Sequence, residues 1–352
     1  MMAQDGVARL RSKELVALRN AHIARLSALF EGRVVDPVFV LCGCRGQAEV
    51  DPYSRPTEWV SAALRDLATR ADALRDPTVF RPLVIQFGPY GVHFIDRILG
   101  AHVYELREPG NWQVACLDTP VGGLRPPDLG TDPTWALARE LAEAFIAAKT
   151  PVPLFGMATL SSALNVLLNL YGQECLVAML ADPEATRHDL RVINDVIGTL
   201  HEWYRAHVPA AQLQPVVADC RTQPPGFGQI CGCSTQLLSA DLYREFIAPL
   251  DGEILSAYPG GGMIHLCGTH TQHIPIWREM GCVRALQLND RAADDLPAYF
   301  AGLRDDQVLY VNAYPGMAVD RIMELTGGRR VVIVADHREP LRAHPSPPRA
   351  AG

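Results

Sequence analysis

Residues 262–268 read Gly-Met-Ile-His-Leu-Cys-Gly. Met263–Leu266 is short, apolar and bounded by glycines, which reads as a buried strand. Gly260, Gly261 and Gly262 come before the strand, so they form a tight entry turn and not a phosphate loop opening a helix. Side chains two residues apart on a strand point to the same side. His265 and Cys267 therefore arrive together at the strand end. A catalytic zinc ion needs three protein ligands and one open position, and this pair supplies two of the three.

Other runs of the same kind flank this one. Val38–Leu41, Leu83–Phe87, Val152–Phe155, Gln214–Ala218, Ala285–Leu288, Val308–Val311 and Val331–Ala335 are apolar without clean alternation. That is the pattern of parallel strands covered on both faces. Helical periodicity fills the gaps, over Thr57–Arg75, Thr134–Lys149, Leu160–Ala181, Pro183–His207 and Ser239–Tyr258, with shorter helices after His270, Asp294 and Ala318. Eight strands alternating with helices predict an α/β fold, a (β/α)8 TIM barrel. The expected organisation is an N-terminal helical extension over 1–36, the barrel over 37–340 and a loose tail over 341–352.

Composition narrows the function. The 352 residues are 48% hydrophobic and 20% charged, with a net charge of −7, which fits a large-cored globular protein and disfavours nucleic acid as a partner. No apolar run is long enough to span a membrane. The basic, amphipathic start (Ala8–Phe30) lacks an apolar signal core and reads as the leading helix of a cytoplasmic protein. The nine cysteines are then thiols or metal ligands. Two Cys-Gly-Cys pairs, Cys42/Cys44 and Cys231/Cys233, lack the two-residue gap of a zinc knuckle, and their glycines read as turns. Each pair can still bind a soft metal.

Barrel enzymes work at the C-terminal ends of their strands. The ends here carry Cys42, Cys44 and Arg45, then Asp219 and Cys220, His265 and Cys267, Asn289 and Asp290, Asn312, and Asp336 and His337. His337 is the first choice for the third metal ligand and Asp336 the second. Cys282 falls at the opposite end, and His270 and His273 read as helix-face residues. Asp219 and Asp290 serve as general bases, as carboxylates orienting a histidine, or as helix caps; Asn312 joins them as a catalytic candidate. Tyr90, Phe155 and Tyr314 are expected to line the mouth against a cofactor, with Met157, Phe227 and Trp112. Arg221–Ser234, rich in Pro and Gly, reads as a long loop or lid.

These residues resemble the uroporphyrinogen decarboxylase superfamily from about Pro37 to Pro340. The most specific stretches are Leu238–Phe246 with Pro249, then Gly262–Gly268; Pro153–Gly172 is similar to the family's third-strand segment. The zinc-dependent corrinoid methyltransferase branch has a His-x-Cys, matched by His265 and Cys267, and a later Cys near strand eight. This chain has no Cys after Cys282 and offers Asp336-His337 there. The resemblance implies a zinc methyltransferase, moving a methyl group between a small substrate or thiol and a corrinoid on a partner protein, and implies a homodimer. The alternative it implies is a metal-free decarboxylase of a carboxylated substrate such as a porphyrinogen. That reading uses Asp219, Asp96 or Asp290, with Arg45 holding a carboxylate and a His near His337.

Overall fold

The computed structural model of the chain describes residues 7–36, 38–215 and 218–335. Its strands, in chain order, are β1 (Val40–Leu41), β2 (Cys44–Arg45), β3 (Val79–Phe80), β4 (Leu83–Ile85), β5 (Val103–Glu105), β6 (Trp112–Val114), β7 (Leu154–Gly156), β8 (Leu213–Gln214), β9 (Gly228–Cys231), β10 (Gly262–Leu266), β11 (Val283–Leu288), β12 (Val308–Asn312) and β13 (Val331–Val334). A seven-stranded sheet runs β3-β1-β13-β12-β11-β10-β9 and a four-stranded sheet runs β2-β4-β7-β8. Every pairing in both is parallel. Among the described strands only β5 and β6 pair antiparallel, as a separate hairpin that the sequence did not reveal.

The two sheets are stretches of one array. The chain passes from β1 into β2 across Cys42-Gly43, and from β3 into β4 across Arg81-Pro82. Pro82 has no N–H to give to a ladder, so the second strand is interrupted there. Read around the array, the order is β9 to β13, then β1/β2, β3/β4, β7 and β8. Between β8 and β9 no backbone ladder forms among the described residues; buried glutamines bridge instead. Gln223 N donates to Gln214 Oε1 (2.8 Å), Gln214 Nε2 to Gln223 O (2.9 Å) and Gln223 Nε2 to Gly228 O (2.9 Å). The expected parallel α/β array is present, but a ring closed strand to strand is not.

Two expectations need correction. Gln214–Ala218 is strand only over Leu213–Gln214; residues 216–217 lie outside the described residues, and Ala218–Arg221 is a helical turn. The expected lid, Arg221–Ser234, instead contains β9. Its sequence, Gly-Gln-Ile-Cys, lacks the branched or aromatic run that marks a strand. Gly228 is required because a Cβ would lie 2.5 Å from the Tyr258 ring.

The helices pack outside the strands. Ser12 caps Lys13–Phe30 through Leu15 N, Asp132 caps Pro133–Ala147 through Trp135 N, and Asp182 caps Pro183–His207 through Ala185 N. The expected N-terminal extension is packed onto the array. Phe30 lies edge-on to Phe227 and Tyr310, and Arg284 Nη2 donates to Phe30 O (2.9 Å). This end is opposite the strand C-termini. Among the described residues no single helix is long and apolar enough to cross a membrane.

Candidate metal centre

β9 and β10 lie side by side in register, with Cys231 opposite His265. Residues paired in register on parallel strands present their side chains to the same face. Two residues further on, Cys233 follows Cys231 and Cys267 follows His265. Two adjacent strand ends thus each deliver a pair of soft ligands to one space. Gly232 lets them come this close: it donates its N–H to His265 O (2.8 Å), and a Cβ there would lie 2.8 Å from Ile264 Cγ2.

Cys231, Cys233 and His265 place one ligand atom each within 4.8 Å of one another, and this set can hold a metal ion. The Sγ atoms of Cys231 and Cys233 are 3.5 Å apart, and Cys267 Sγ lies 2.9 Å from His265 Nε2. Tetrahedral zinc with about 2.3 Å bonds to sulfur and about 2.0 Å to nitrogen separates its ligand atoms by roughly 3.5–3.8 Å; the Cys231–Cys233 spacing matches this, whereas Cys267 Sγ sits at hydrogen-bond distance from His265 Nε2. The donor set, three sulfurs and an imidazole, suits a soft divalent cation.

Hydrogen bonds tune this set. Hydrogen bonding to Cys233 pulls the Cys231 and Cys267 thiols down, and His265 adds to both effects. Cys233, hydrogen-bonded with Cys231 and Cys267 and partly desolvated, is pushed up. Asn165 Nδ2 lies 3.6 Å from Cys231 Sγ, and Asn289 Nδ2 lies 3.8 Å from Cys267 Sγ. His265 Nδ1 donates to Gln287 Oε1 (2.5 Å), which leaves Nε2 as the ring nitrogen facing the thiols. Gln287 Nε2 in turn donates to Asn312 Oδ1 (2.7 Å). His270 ties the two ligand segments together, its ring nitrogens lying 2.5 Å from Gly268 O and 3.2 Å from Cys233 O. Cys231 and His265 are buried while Cys233 and Cys267 are half-buried, so the centre opens on the latter side.

His265 and Cys267 meet as expected from their spacing. His337 and Asp336 lie outside the described residues. The structure gathers Cys231 and Cys233 instead, a pair whose glycine reads as a turn in the sequence but whose thiols can still bind a soft metal. Asn312 reaches His265 only through Gln287. Asp290 is exposed at φ 46°, with Asn289 Nδ2 donating to its Oδ2 (3.0 Å). Asp219 pairs with Arg45 at 2.9 Å and packs beside Gly43.

The expected mouth residues divide. Tyr90 joins Tyr53 and Trp112 in an aromatic cluster with Arg97 over its ring. Tyr314 donates to Asp294 Oδ1. Phe155 is a correction: it is buried against Phe145 and Tyr204, on the helix-facing side of β7. Met157 is fully buried. Phe227 is also a correction, because it packs under Phe30 at the far end.

No protein-family model matches the chain, and no curated protein does. Among solved structures it is similar to a methyltransferase from Methanosarcina mazei, with a TM-score of 0.59 and 13% identity, over 89% of this chain and 92% of that one. At that identity the likeness is one of fold: this parallel α/β array is an architecture that a methyltransferase uses.

Proposed function

We propose that this chain is a zinc-dependent methyltransferase, moving a methyl group between a thiol and a corrinoid carried by a partner protein. The observation that carries the reading is the convergence of Cys231, Cys233, Cys267 and His265 at the ends of two registered strands. Cys231, Cys233 and His265 would hold the ion, with Cys267 beside His265 on the open side. A zinc ion there would keep a thiol as its anion near neutral pH, the form that attacks a methyl carbon. The chain's own groups bind and orient. Gln287 and Asn312 fix the imidazole, and Asn165 and Asn289 contact the Cys231 and Cys267 sulfurs. The shared fold with a methyltransferase is consistent with this, and the same reading takes the array as a (β/α)8-type barrel closed through Gln214 and Gln223.

The metal-free decarboxylase is less well supported. It needs a cation to grip a carboxylate, and Arg45, its candidate, is already paired with Asp219.

The test is metal content by mass spectrometry on protein purified without added metal, followed by methyl transfer from methylcobalamin to 2-mercaptoethanol. Stoichiometric zinc and transfer that stops on chelation are expected. Protein free of zinc that cannot be loaded with it would sink the proposal.

A further inference from the structure

The segment after β4 holds a second polar constellation, apart from the thiol cluster. Asp96 sits fully buried on the short helix Phe94–Ile98. Its Oδ2 lies 2.7 Å from His93 Nδ1 and accepts from Asn169 Nδ2 at 2.8 Å. Its Oδ1 is buried and without a partner among the described residues. A carboxylate is costly to bury half-satisfied. The His93 side chain is 12% exposed, and no described residue bonds its Nε2. With Nδ1–H directed at Asp96, Nε2 is left as a proton acceptor that solvent can reach.

One helix ties this pair to the thiol cluster. Asn165 and Asn169 are four residues apart on Ala163–Tyr171, so they share a face and stand ~6 Å apart along the axis. Asn169 holds Asp96, while Asn165 contacts Cys231 Sγ and accepts from Ser234 N (2.9 Å). A single rigid face therefore sets the distance between the imidazole of His93 and the sulfurs. Both groups follow the C-terminal ends of parallel strands, where catalytic groups of such arrays gather.

Resting on the methyl-transfer reading, we propose that His93 takes the proton from a thiol substrate entering the Cys231/Cys233/His265 centre, with Asp96 as its positioning residue. The S–H bond breaks, and the proton passes to His93 Nε2. The sulfur keeps the electron pair and becomes the anion that the centre holds. The imidazolium is balanced by the Asp96 carboxylate, and its proton then leaves to bulk water along the exposed ring edge. The Asn169 amide contributes by holding the carboxylate in place, so that the ring cannot turn its acceptor away.

The experiment uses the full chain loaded with cobalt(II) and 2-mercaptoethanol as the probe thiol. Stopped-flow absorption follows the new sulfur-to-cobalt charge-transfer band. At pH 7, His93→Gln should slow its appearance about 100-fold, the scale of a lost general base, with metal content and final amplitude unchanged. At a pH where the probe is already a thiolate, the two proteins should react at the same rate. Asp96→Asn should slow the reaction less and converge in the same way. Imidazole added to His93→Gly should restore the rate, which a purely structural role would not allow. A His93→Gln rate within twofold of wild type at pH 7, with normal amplitude, overturns the assignment of His93 alone. No new band in the wild type overturns the thiol-binding reading and this inference with it.

Discussion

At the scale of single residues, the centre depends on how His265 is held. Its Nδ1 is committed to Gln287, so Nε2 has no choice but to face sulfur. Gln287→Leu should therefore lower zinc affinity about 10- to 100-fold while leaving the fold intact, as read by competition with a coloured chelator. Replacing a ligand is more severe. Cys231→Ser or Cys233→Ser should each drop bound zinc well below one per chain, whereas Cys116→Ser, at an exposed position, should retain it. His265 and Cys267 were legible because a two-residue spacing is a local fact. Gln287 was not, since its role depends on β11 lying against β10 with Gln287 opposite His265. A Gln inside the otherwise apolar run Ala285–Leu288 was the one signal available.

At the scale of elements, β9 is the critical piece. It is four residues long and laddered on one side only, to β10. On its other side Gln214 and Gln223 replace a ladder with buried side-chain bonds. Gln214→Leu would strip the partners from Gln223 N and Gln223 O, costing roughly 1–3 kcal/mol for each group left unsatisfied. Chemical denaturation should show that loss. Zinc affinity should fall as well, because β9 carries Cys231; unchanged affinity would mean that β10 alone positions β9. The long helix Pro183–His207 was plain in the sequence from its period, and the strands from β10 to β13 from their short apolar runs. β5 and β6 were too short to be read, and β9, though as long as β13, lacks its branched apolar run.

At the scale of the whole molecule, buried histidine links stability to acidity. His201 is sealed between the helix Pro183–His207 and Tyr258, with Nδ1 2.6 Å from the Tyr258 hydroxyl. Burial, aided by Arg205, pushes its pKa down to about 3. The folded protein keeps it neutral where the unfolded chain would protonate it, below about pH 6.5. Stability is thus lost as pH falls from about 6.5 toward 3, at up to about 1.4 kcal/mol per pH unit. Burial also pushes Asp251 up to about 7, and this group works with the opposite sign, losing stability as pH rises from about 4 to 7. The clean measurement is a difference. His201→Gln minus wild type, by denaturation between pH 6 and pH 4, should grow in favour of the variant as pH falls, and a flat difference would show that His201 titrates as freely as in the unfolded chain. Across the molecule, the order of strands and helices alone established a parallel α/β array, and local spacing alone established that an imidazole and a thiol leave one strand together. Which side of β7 receives Phe155, and which cysteines complete the centre, only the tertiary structure decided. A strand buried on both faces has no alternation to tell inward from outward. The register that sets Cys231 beside His265 is fixed by hydrogen bonds between segments more than thirty residues apart, and no local pattern in the chain records them.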